Sequence, residues 1–76
     1  MNDILWNSKV LGAMQAHACL TDEENIVLMD WVHDRSIANT AIMHNMSTGK
    51  VDKIRRRLRD KYDGIQPYTD LPPRRQ

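Results

Sequence analysis

Four long cations recur at helical spacing in this chain: Lys50, Lys53, Arg56 and Arg57, with Arg55 and Arg59 beside them. Three small polar residues, Ser47, Thr48 and Gly49, stand immediately ahead. Cations on a helix behind a small-residue start suit one chemistry, the neutralisation of phosphate and the reading of base edges. Small residues let the helix end approach a duplex, and its free amides bind a phosphate. With Val51 as the centre of a buried face, at about 100° per residue, Gly49, Lys53, Arg56 and Asp60 fall on the opposite face. Lys50, Asp52 and Arg57 fall on its shoulders. Arg55 and Arg59 lie nearer the core and read as phosphate contacts or as ion-pair partners of an acidic helix. Taken alone, KVDKIRRRLRDK also fits a solvated face with Asp52–Arg56 and Arg56–Asp60 pairs.

Other chemistry is poorly supplied. Zinc needs about four clustered ligands, and the chain offers a single cysteine, Cys19, with His17, His33 and His44 dispersed. No metal, cofactor or catalytic residue is expected. Asp22, Glu23 and Glu24 read as a helix-capping segment and not as an acid/base pair. Cys19 reads as a small buried apolar residue, and a lone cysteine suits a reducing cytoplasm. Trp31 reads as core because it shares a stripe with Val27, Leu28 and Val32. Trp6 reads either as a lid on the core or as part of an apolar patch that pairs with a second copy.

The net charge of +1 conceals an asymmetry. Residues 1–46 hold Lys9 and Arg35 against six acidic groups, a balance of −4; residues 47–76 hold nine basic against four acidic groups, a balance of +5. Positive potential is therefore concentrated in the second half, which favours nucleic acid as a partner. The longest apolar runs are far too short for a membrane span, and the N-terminus lacks the pattern of a secretory signal. With 76 residues the chain makes one small domain.

The elements that position the cations are helical throughout. Residues 4–18 have a helical composition, with Asp3 as the N-cap. Thr21 and Glu24 form a capping box, opening a helix that ends near His33 or Asp34. Ser36 caps a short helix whose apolar face is Ile37, Ala38, Ala41 and Ile42, running through His44. Asn45 occupies the turn, where a positive φ is needed, and Met46 plugs it. Ser47 caps the last helix, which runs to about Tyr62 and stops before Gly64. Its buried stripe is Val51, Ile54, Leu58 and Tyr62. The domain spans residues 1–64. Residues 65–76, with Pro67, Pro72, Pro73, Arg74 and Arg75, read as an extended tail.

Residues 36–62 match the size pattern of a helix-turn-helix. Ala41 is small where the second helix crosses, Asn45 makes the turn, and Val51 locks the helices together. Ile37, Met46 and Ile54 flank them, while Thr40 stands where a larger apolar residue is expected. The segments LTDEENIVL, SIANTAI and MSTGKVDKIRRRL resemble, without gaps from Leu20 to about Tyr62, the helix-turn-helix of sigma-factor region four and LuxR-type regulators. Asp34-Arg35 replaces the usual Gly-Leu, and Asn39-Thr40 the usual acidic-apolar pair. The resemblance implies a small helical domain whose last helix enters the major groove. It assigns Thr48, Gly49, Lys50, Asp52, Lys53, Arg56 and Arg57 to the DNA-facing side, and Ser47 joins them as the cap.

The expectation is an all-α four-helix domain with a C-terminal helix-turn-helix, binding double-stranded DNA in transcriptional control. No receiver domain or other sigma region accompanies it, and its brevity suits a cytoplasmic regulator of bacterial or phage origin. A homodimer through the N-terminal helix and contact with RNA polymerase are further expectations. The competing expectation is a non-catalytic interaction module whose basic helix docks an acidic partner.

Overall fold

A computed structural model describes residues 6–71. Four helices follow one another: α1 (Ser8–His17), α2 (Asp22–Val32), α3 (Ile37–Met43) and α4 (Thr48–Ile65), then a short 3-10 turn at Gln66–Tyr68. The expected all-α class with four helices is the observed one, and no strand occurs among the described residues.

Side-chain caps set where the helices begin. The Thr21 hydroxyl accepts from the Glu24 amide at 3.2 Å, and Glu24 accepts from the Thr21 amide at 3.0 Å, the reciprocal box read from the sequence. Ser36 accepts from the Asn39 amide and Ser47 from the Lys50 amide, each at 3.1 Å. The first helix differs from expectation. Asn7 caps it, accepting from the Val10 amide at 3.0 Å, so α1 starts at Ser8. The expected cap Asp3, with Ile4 and Leu5, lies outside the described residues.

Three helices end on a residue in the left-handed region, and none of the three is glycine. They are Cys19 (φ 51°), Asp34 (φ 61°) and Asn45 (φ 54°). After α2, the Arg35 amide donates to the Asp30 carbonyl at 3.0 Å and the Asp34 amide to Trp31 at 3.1 Å. These two bonds close a Schellman motif. After α3, the Met46 amide donates to the Ala41 carbonyl at 2.9 Å across the Asn45 turn. Asn45 thus has the positive φ expected of it. Cys19 is a correction: it is exposed at the end of α1, a turn position and not a core one. The last helix also runs further than expected. It passes through Gly64 to Ile65, because Ile65 continues the buried stripe and joins the core. Leu71 is buried in the same core, so residues 65–71 fold back onto the domain instead of trailing away from it. Pro72, Pro73, Arg74 and Arg75 lie outside the described residues.

The core gathers Met14 of α1, Val27 and Leu28 of α2, and the full expected stripe of α4, Val51, Ile54, Leu58 and Tyr62. Trp6 settles into it: its ring stacks on Trp31 at 4.0 Å between centroids and meets Tyr62 edge-on at 6.2 Å. Of its two sequence readings, the lid on the core is the one observed. The face of α3 is a second correction. Thr40 and Ala41 are its buried residues, Ala38 is exposed, and Ile42 is 80% exposed. Small side chains occupy the inward side of this short helix, and the branched Ile42 is turned outward.

Candidate nucleic-acid interface

The outward side of α4 is set by what its inward side buries. With Val51, Ile54, Leu58 and Tyr62 fixed in the core, Ser47, Thr48, Gly49, Lys50, Lys53, Arg56 and Arg57 are exposed and Asp52 is partly so. The structure divides these residues into two strips. Lys50, Lys53 and Arg57, three and then four residues apart, follow one line along the helix. Asp52 and Arg56 follow another, joined by a 2.7 Å ion pair. Arg56 takes Asp52 as its partner, and not Asp60. Its charge is therefore partly offset in place.

Within the first strip the cations differ. Lys50 Nζ lies 2.5 Å from Glu23 Oε2, bridging from α4 to the start of α2. Lys53 and Arg57 make no ion pair among the described residues. They are the cations most available to an external anion. The first turn of α4 offers its amides beside small side chains, with no atom within 4 Å of where a Gly49 side chain would begin.

Arg55 has a different task from the phosphate or ion-pair role expected of it. Its guanidinium lies 4.5 Å from the centroid of the Trp31 ring and donates to the Arg35 carbonyl at 2.8 Å. Trp31 is thereby covered by Trp6 and by Arg55. Burial, and then the neighbouring Arg59, lower the Arg55 pKa, while Asp52 and Asp30 act in the opposite sense. The Arg59 guanidinium lies 5.7 Å from the same ring. Both arginines fasten α4 to α2 through an aromatic face.

Two buried carboxylates hold the frame, and neither role was anticipated in full. Asp30, 4% exposed, accepts from Arg35 Nη1 at 2.7 Å and from His44 Nε2 at 3.0 Å. It ties the end of α2 to the end of α3, just ahead of the turn that launches α4. Burial pushes its pKa up, but Arg35, His44 and the adjacent Thr40 together bring it below its ordinary 3.8. The Thr40 hydroxyl is close enough to favour the charge without forming a hydrogen bond of regular geometry. A signal was present in the sequence: Asp30 falls between Val27 and Trp31 on the apolar stripe of α2, where a carboxylate requires a partner. Glu24 is the second. Lys61 Nζ lies 2.6 Å from its Oε1 and also donates to the Cys19 carbonyl at 3.1 Å. Burial raises the Glu24 pKa, but Lys61 and Thr21 outweigh that and hold it below 4.5.

Among the described residues no three His, Cys, Asp or Glu side chains converge as metal ligands would. Nor is any described helix long and apolar enough to cross a membrane. Comparison with protein-family models, curated proteins and solved structures finds no match to this chain.

Proposed function

We propose that this protein binds double-stranded DNA as a transcriptional regulator, with α3 and α4 acting as a helix-turn-helix and α4 entering the major groove. The observation that carries the proposal is the strip Lys50, Lys53 and Arg57 on the exposed side of a helix that begins Ser47-Thr48-Gly49. Long cations there reach phosphates and base edges, and the small first turn permits close approach. One departure from the sigma region four and LuxR-type pattern is compatible with that resemblance. Asp34 stands where that family has Gly and adopts φ 61°, the conformation for which Gly is favoured. Asp52 and Arg56, paired with each other, flank the strip and are better suited to orientation than to strong phosphate binding. Cytoplasmic location, a second copy on an adjoining half-site and contact with RNA polymerase belong to the same proposal. Trp6, once the candidate anchor for a dimer, is committed to the core; sedimentation at micromolar concentration tests the second copy directly.

The test is titration of a labelled duplex at several salt concentrations. Two to four phosphate contacts predict a log–log slope of roughly −2 to −4 per domain. Lys53→Ala with Arg57→Ala should flatten the slope by about 2 while leaving helicity intact. Absence of salt-sensitive binding at low ionic strength refutes the proposal. A second reading, docking to an acidic protein, draws on a specific observation. Ile42 and Met43 are 80% and 56% exposed on a helix that bears no charge. Duplex binding that is absent while an acidic polypeptide is bound would favour that reading.

A further inference from the structure

The starts of α2 and α4 are built by the same rule but differ at one position. In α2 the cap Thr21 is followed three residues later by Glu24, which completes the reciprocal box. In α4 the cap Ser47 is followed three residues later by Lys50, which can return no acceptor to the cap amide. A cation in the first turn also opposes the positive end of the helix dipole. Lys50 therefore sits where local helix chemistry disfavours it, and such conflicts concentrate at functional positions. The fold supplies it with a counter-charge from outside the helix. Glu23 in the first turn of α2 holds Lys50 Nζ at 2.5 Å, with the two side chains 50% and 49% exposed. Both ends of the pair remain open to solvent, so an incoming phosphate can take the ammonium from the carboxylate.

We infer that Glu23 is an affinity-determining residue of the DNA-binding strip: it competes with backbone phosphate for Lys50 and keeps that cation from binding polyanion indiscriminately. The inference rests on the proposed DNA binding and deepens it. Lys53 and Arg57 make the first contacts. Lys50 joins them only where the duplex brings a phosphate close enough to displace Glu23. Glu23 touches neither base nor phosphate in this scheme and acts through Lys50.

The experiment measures a fluorescently labelled mixed-sequence duplex against wild type, Glu23→Gln, Lys50→Gln and the double variant, each across a salt series. Glu23→Gln should tighten low-salt binding and steepen the slope by about 0.9, one additional phosphate neutralised. Between about 50 and 200 mM salt its affinity should therefore fall about three-fold more than that of wild type. In the Lys50→Gln background the same change should leave the slope where it was. An unaltered slope in Glu23→Gln overturns the inference while wild-type binding preserves the DNA reading. A steepening that persists without Lys50 also overturns it, since loss of a general negative charge then suffices. Wild type that fails to bind any duplex at low salt removes both. Circular dichroism of each variant checks that α2 is intact, since Glu23 lies in its first turn, so that a changed slope reports charge and not lost helix.

Discussion

Replacing Asp30 with Ala is the most informative perturbation of the frame. The carboxylate accepts two charge-assisted hydrogen bonds, from Arg35 at 2.7 Å and His44 at 3.0 Å. Bonds of this type contribute roughly 1.5–3 kcal/mol each before compensation. Two effects reduce the loss. The burial cost of the carboxylate disappears with it, and Arg35 and His44, whose side chains are 42% and 28% exposed, regain water. No isolated charge is left buried, so the net cost should fall below the roughly 3–5 kcal/mol of a broken buried pair. We expect about 2 kcal/mol, out of roughly 4–11 kcal/mol for a domain of this length. Urea unfolding followed by tryptophan fluorescence measures it, since both Trp6 and Trp31 are buried in the folded state. The thermal midpoint should fall by about 8–16 °C. The reverse change, Arg35→Ala, should also be costly, because it leaves a buried carboxylate with His44 alone. A loss under about 0.5 kcal/mol in Asp30→Ala, with the denaturant slope unchanged, would refute the reasoning. It would place the cluster with surface ion pairs, which contribute little.

Acid should destabilise the fold through Asp30 and Glu24. Their folded pKa values lie below the ordinary 3.8 and 4.5, so their contribution is complete above those values and lost as pH falls through the lower folded ones; Asp30→Asn should shallow that acid limb in a pH series of urea melts. Asp34→Gly should stabilise by about 0.5 kcal/mol, since relief of left-handed strain exceeds the added freedom of the unfolded chain; a lower thermal midpoint would count against that account. Ile42→Ser should change stability by less than about 0.5 kcal/mol, as expected for an exposed site, whereas a large loss in the same melts would return Ile42 to the core.

The sequence was most readable where a local rule acts alone. Thr21 and Glu24 announce α2, and Ser36 and Ser47 announce the next two helices, because each cap bonds within its own turn. The α4 stripe was equally clear, being long and regular. Reading failed where distant chain decided the outcome. Ala38 and Ile42 lie outward, against expectation, because the inward side of a seven-residue helix is chosen by its neighbours and not by its own pattern; Thr40 is buried at the position where the helix-turn-helix pattern expects an apolar residue. Arg55 reads as a phosphate contact or an ion-pair partner because nothing local reveals that Trp31, far back in sequence, offers it a ring. The ends of α1 and α2 fall close to their expected places, but the left-handed residues there, Cys19 and Asp34, are not of the Gly or Asn type that signals this conformation in a sequence. In the site, the positions of the cations were legible, but their pairing was not: Glu23 and Asp52 decide which charges remain available.

The placing of Trp6 and Leu71 in one core has a consequence for modularity. These residues come from opposite ends of the described chain, yet both join the cluster that contains Trp31 and Tyr62. The α3–α4 hairpin is therefore not a transplantable cassette. A graft of residues 36–62 onto another scaffold would carry the cations but leave behind Trp31, the ring on which Arg55 rests, and Asp30, the anchor of His44. Trimming the chain at Gly64 would remove Ile65 and Leu71 from the same cluster. The smallest unit able to present this surface is nearly the whole molecule, so folding should be cooperative and all-or-none.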